Sequence, residues 1–175
     1  TENWQVATRS DFIEALLSNR AINRRTGYLS RRRESTGQHL NNFSQPLSAE
    51  DSAMKLFRFV IVGCGRMGLA HSARLASHPE ATLVGVFDPD NEAATNLRDL
   101  FAPDAVVASA FEELLELDAD AVVIGTPTTA HRVQVEAAAS RGWHVLCEKP
   151  LAEDRAAIDA LCEVAARFSD QRFQL

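Results

Sequence analysis

Leu56–Gly68 reads LFRFVIVGCGRMG, and the interpretation of this stretch decides the fold. The apolar, β-branched run Phe57–Val62 is short enough for a strand buried on both faces. It stops at Gly63, and Gly65 and Gly68 complete the spacing G-x-G-x-x-G. The following residues, LAHSARLASHP, have helical spacing, so the glycines occupy a strand-to-helix turn. Each glycine then has its own task. Gly63 turns the chain, Gly65 lets the backbone approach a pyrophosphate, and Gly68 lets the helix pack close to the strand. The N–H groups of Arg66 and Met67 face that phosphate at the positive end of the helix. Cys64, in the same turn, is read as a small residue that fits there and not as a redox centre.

Downstream the chain alternates strand and helix without interruption. The pattern predicts strands at Phe57–Val62, Thr82–Phe87, Ala105–Ala108, Ala121–Gly125 and Trp143–Cys147, with the start of a sixth at Gln171–Leu175. Between them it predicts helices at Met67–Ser77, Asn91–Phe101, Ser109–Leu117, Thr128–Arg141 and Glu153–Phe168. Pro79 and Pro103 end the first two helices, and Gly142 closes the fourth. Ser109 and Glu112 have the spacing of a capping box for the third. Right-handed crossovers make this a doubly wound parallel α/β sheet of order 3-2-1-4-5-6. Its ligand is expected at the carboxyl ends of strands one and four, where the order reverses.

Upstream the sequence changes character. Residues 1–53 carry seven Arg, no Lys and six acids, a balance of +1, whereas 54–175 carry eleven basic and eighteen acidic residues, a balance of −7. The split marks a boundary near Met54, with 1–53 as an extension and 54–175 as a dinucleotide-binding domain. Arg20, Arg24, Arg25, Arg31, Arg32 and Arg33 lie in a polar stretch without an acid. One reading is an arm that binds nucleic acid or a partner. The preferred reading is a largely disordered tail or linker, preceded by a short helix opened by Asp11. Met54 is read as a native start, and the opening Thr1 as the mark of a fragment.

The net charge of −6 gives no general case for nucleic acid or an anionic membrane as partner. No apolar run reaches the ~18 residues of a membrane span. The three cysteines form no C-x-x-C pair, so neither a disulfide framework nor a metal site is suggested, and a reducing, cytoplasmic location is the simpler reading.

Three further places carry candidate chemistry. Asp88 ends strand two, twenty positions past Gly68, where a carboxylate accepts hydrogen bonds from the adenosine ribose. Its charge repels a 2′-phosphate, and no Arg or Lys follows it directly, so NAD is preferred to NADP. The alternative is a solvated acid opening the next helix. Thr126-Pro127 ends strand four at the switch point, and His131 follows on the first turn of the helix, where position alone suits a structural role and a cleft role equally. Glu148-Lys149-Pro150 ends strand five. Lys149 can donate to the nicotinamide amide or to a substrate hydroxyl and Glu148 can hold the nicotinamide ribose, or the two form a surface salt pair.

Taken in order, VIVGCGRMGLAH, VFD, GTPTTAH and HVLCEKPLA resemble the amino-terminal, Rossmann-type domain of the Gfo/Idh/MocA oxidoreductase family, over about Lys55–Leu175. The wording of the last two is similar to that of inositol 2-dehydrogenases. The resemblance implies NAD(P)-dependent hydride transfer on a polyol, sugar or related alcohol. It implies that Lys149 is an active-site lysine touching substrate and nicotinamide, and that Thr126, Pro127, His131 and Glu148 line the cofactor site. Family members continue into a second α/β domain that supplies the substrate pocket, an acid/base residue and usually the oligomer interface. The expectation is therefore a cofactor-binding half with the substrate domain absent and little turnover of its own, from a protein that is a homo-oligomer at full length. The competing expectation is a nucleotide-sensing module whose output is the Arg-rich arm.

Overall fold

A computed structural model describes residues 56–174. The readings of 1–53, including the Asp11 helix and the Arg-rich arm, lie outside the described residues. The elements in chain order are β1 (Phe57–Val62), α1 (Arg66–Ala76), β2 (Ala81–Phe87), α2 (Asn91–Phe101), β3 (Val106–Val107), α3 (Phe111–Leu114), β4 (Ala121–Ile124), α4 (Thr128–Ser140), β5 (His144–Cys147), α5 (Arg155–Arg167) and β6 (Phe173–Gln174). They form one six-stranded sheet of order β3-β2-β1-β4-β5-β6, with every pairing parallel. This is the predicted doubly wound sheet, and β1 and β4 are the neighbours at its switch point.

The central strands are apolar on both faces because both are covered. Val60, Val62, Val122, Ile124, Val145 and Cys147 pack in one cluster with Phe111 and Leu114 of α3, Val135 and Ala138 of α4, and Leu161 and Val164 of α5. On the other face Gly68 brings α1 against Ile61, whose Cγ2 lies 3.4 Å from where a Cβ on Gly68 would sit. The β1–β2 register slips between Phe59 and Val60, which pair with Leu83 and Gly85, so Val84 bulges out of the ladder.

Local chemistry explains the boundaries. Gly142 has φ of +82°, and the N–H groups of Gly142 and Trp143 return to the carbonyls of Ala139 and Ala138 at 2.9 and 3.2 Å. That is a Schellman ending for α4. Asp90 caps α2 through Oδ1, which accepts from Glu92 and Ala93, and Asp154 caps α5 in the same way through Ala157.

Two expectations fail locally. The third helix is a single turn starting at Phe111, and the capping box of Ser109 and Glu112 does not form. Ala108 still donates to Val86 along the sheet edge, which keeps Ser109 out of the capping position. Ala110 is the cap, and Glu113 reaches back to accept from the Ser109 N–H at 2.8 Å. The third strand is also shorter than expected, because the Ala105 N–H turns to Ala102 and not to β2.

At the amino edge of the sheet, the Arg58 N–H donates to Asp120 Oδ2 at 2.8 Å, and its guanidinium pairs with Asp118 and Asp120. This ties β1 to the start of β4, away from the site.

Candidate cofactor site

The glycine turn joins β1 to α1. Gly63 has φ of +92°, and a Cβ there would lie 2.6–2.8 Å from the backbone of Gly125 and Thr126. A Cβ on Gly68 would lie 2.1 Å from the Gly63 carbonyl oxygen. Both positions are closed to any side chain by backbone. Gly65 is the opposite case, with no atom within 4 Å of where its Cβ would be. It caps α1 with no side chain of its own, so the N–H groups of Arg66, Met67 and Gly68 open the helix unpaired by any capping group. Gly65, Arg66 and Met67 are exposed, while Gly63, Cys64 and Gly68 are buried. The result is an exposed lip of amide donors over an empty space, which fits a phosphate ester approaching the backbone.

Asp88 stands beside this lip. Its Oδ2 accepts from the Cys64 N–H at 2.7 Å and its Oδ1 from the Asp90 N–H at 2.9 Å. The carboxylate is half-buried, and its remaining lone pairs are open to hydroxyl donors.

Next to β1, β4 ends in a second helix start. Pro127 precedes α4 with no side-chain cap, so α4, like α1, opens toward the carboxyl edge of the sheet. Thr126 is secured twice. Its Oγ1 donates to Gln134 Oε1 at 2.6 Å, and its carbonyl lies 2.9 Å from His131 Nε2. His131 Nδ1 lies 3.2 Å from the Leu151 carbonyl. At 1% exposure, His131 is enclosed between two backbone carbonyls. His131 thereby ties the loops that follow β4 and β5.

At the end of β5, Lys149 is exposed and Glu148 is half-buried. Glu148 Oε1 lies 2.7 Å from His71 Nε2, and Oε2 accepts from the Lys149 N–H at 3.3 Å. Burial raises the Glu148 carboxyl, but the hydrogen bond and attraction of His71, with smaller help from Lys149, outweigh it and hold the group below the usual carboxylate value. Glu148 is therefore an anion at neutral pH and His71 Nε2 is the donor. His71, Gln134 and Gly125 were not singled out by sequence. For His71 and Gln134 the available signal was a polar residue on the inward face of a helix, at the spacing of Gly68 and Leu75 on α1 and of Val135 and Ala138 on α4.

The thiols give a direct check on this packing. Burial, with the charge of Asp88, pushes Cys64 up to about 12, and burial with Glu148 does the same for Cys147. Cys162 is exposed. Iodoacetamide at pH 8 is expected to label one of the three cysteines in the native chain and all three after unfolding, counted by mass spectrometry. Fast native labelling of Cys64 would show that the turn opens.

The profile of the Gfo/Idh/MocA oxidoreductase family, NAD-binding Rossmann fold, matches residues 57–174, and the chain belongs to this family. Among its relatives, inositol 2-dehydrogenase of Rhizobium meliloti (strain 1021) is 33% identical over 109 residues, which are 62% of this chain and 32% of that protein. Inositol 2-dehydrogenase 4 of Saccharopolyspora erythraea is 39% identical over 98 residues, covering 55% and 29%. Among solved structures, scyllo-inositol dehydrogenase from Lactobacillus casei with bound NAD(H) and scyllo-inositol superposes with a TM-score of 0.64 at 30% identity, covering 69% of this chain and 36% of that one. The matched stretch thus spans about a third of these relatives. Among the described residues no helix is long and apolar enough to cross a membrane.

Proposed function

We propose that this chain is the cofactor half of an NAD-dependent dehydrogenase that moves a hydride between nicotinamide and a CH–OH carbon of a polyol or related sugar. The observation that carries this reading is the open lip at Gly65, with Asp88 on one side and Glu148-Lys149 on the strand beyond β4. In this reading the N–H groups of Arg66, Met67 and Gly68 take the pyrophosphate, with the α4 start at Thr126-Pro127 behind them. Asp88 takes the adenosine ribose, and Glu148 takes the ribose next to nicotinamide. The bound nicotinamide supplies the hydride chemistry. Lys149 meets the substrate hydroxyl and lowers its pKa, and the proton passes to an acid/base residue supplied by the longer protein. His131, between the Thr126 and Leu151 carbonyls, holds the loops that line the cofactor cleft.

The polyol in the Lactobacillus casei structure supports the substrate class. Since the matched stretch is about a third of the relatives, the reading assigns cofactor binding to this chain and turnover to the longer, homo-oligomeric protein. A cytoplasmic location goes with it.

The test is a fluorescence titration with NADH and NADPH. NADH is expected to bind about tenfold more tightly than NADPH, because a 2′-phosphate meets the fixed charge of Asp88. Asp88→Ala is expected to weaken NADH about tenfold and to narrow the gap. Equal binding of both cofactors by the wild type would refute the NAD preference, and binding of neither by a chain that melts cooperatively would refute the cofactor site.

A further inference from the structure

Lys149 lies in an exposed loop, yet a residue on either side of it is tied to a buried histidine, and the two histidines come from different helices. On one side, His71 of α1 donates from Nε2 to Glu148 Oε1 at 2.7 Å, and Glu148 Oε2 in turn accepts from the Lys149 N–H at 3.3 Å. On the other, His131 of α4 reaches the Leu151 carbonyl at 3.2 Å. His71 is 4% exposed, and its Nδ1 is buried with no partner among the described residues. A buried ring that leaves one nitrogen unsatisfied loses free energy, so the bond to Glu148 is the feature that offsets this burial. His71 also lies three residues after Gly68, on the helix whose N-terminus forms the phosphate lip. One short helix therefore carries the phosphate donors at its start and the anchor of the β5 loop one turn later.

We propose that His71 is a positioning residue for the nicotinamide end of the cofactor, fixing Glu148 and through it Lys149, with His131 securing the far side of the loop. His71 itself touches neither cofactor nor substrate. It sets the distance between the phosphate donors and the Glu148-Lys149 pair, so it acts on one half of the ligand and not on the other. This inference rests on the reading of Glu148-Lys149 given under the proposed function.

The experiment titrates the chain with NADH and, separately, with ADP, which has the phosphates and adenosine but neither nicotinamide nor its ribose. Four proteins are compared, each checked by a thermal melt: wild type, Lys149→Ala, His71→Asn and His71→Gln. His71→Asn, whose amide is too short to reach Glu148, is expected to lose about tenfold in NADH affinity with ADP unchanged. His71→Gln, whose amide nitrogen reaches the position of Nε2, is expected to bind both ligands as the wild type does. A folded His71→Asn that binds NADH as the wild type does, or that loses both ligands equally, overturns the proposal. Should His71→Asn fail to fold, His71→Leu takes its place, with selective loss of NADH supporting the proposal and wild-type or equally reduced binding of both ligands overturning it. Lys149→Ala separates the two readings. If it leaves NADH binding intact while His71→Asn weakens it, Lys149 has no contact with nicotinamide and the anchoring of Glu148 stands. If it weakens NADH while His71→Asn does not, the lysine stands and the positioning role falls.

Discussion

Gly65→Ala is expected to melt within about 3 °C of the wild type and to bind NADH at least about tenfold more weakly. The two halves of this result come from one measurement of space. Apart from its chain neighbours, no atom lies within 4 Å of where the new methyl would be, and the backbone at Gly65, with φ of −71°, suits an alanine. The folded chain has no reason to resist the substitution. A pyrophosphate resting on the amide lip does, because the methyl stands where the phosphate oxygens approach. Thermal melts and fluorescence titration on the same samples decide it. A variant that keeps full NADH affinity would mean that the lip does not hold the cofactor, whatever else the domain binds.

Gly63→Ala is expected to do the reverse, destabilising the fold by roughly 3 kcal/mol or more, from the left-handed backbone and the overpacking together. The methyl would meet the Gly125 carbonyl carbon at 2.6 Å and the Thr126 nitrogen at 2.8 Å, and both are backbone atoms that cannot rotate away. β1 and β4 would have to separate at the switch point for the residue to fit. Urea unfolding should show a lower midpoint with the slope unchanged. A midpoint equal to that of the wild type would show that the turn can relax. Together the two variants separate the glycine needed by the fold from the glycine needed by the ligand, which share one motif and look alike as letters.

That contrast also shows how much was legible in the sequence. The alternation from Phe57 to Gln174 predicted the sheet and its order, because strands covered on both faces have little choice of pattern, and prolines and Gly142 punctuate the helices. The α3 capping box was misread because capping depends on where the chain leaves the sheet edge, and the Ala108–Val86 bond that decides this joins residues distant in sequence. The partners of His131 could not be foreseen from position, since they are the main-chain carbonyls of Thr126 and Leu151, which any residue type would provide. His71 was invisible for the same kind of reason. Its partner Glu148 is 77 residues away, and only the crossing from β1 to β4 to β5 brings them together. Residues that act through backbone shape were readable from the motif, and residues that act through long-range pairing were not.

The doubly held carboxylate of Asp88 constrains how this domain can be altered by evolution or by design. The oxygens proposed to hold the ribose also fasten the Cys64 amide in the glycine turn and the Asp90 amide that leads into α2. Replacing this acid cannot be done in one step without loosening the glycine turn. A lineage that replaces the acid first needs another acceptor for these two amides, so the residue is held in place by the fold as well as by any ligand.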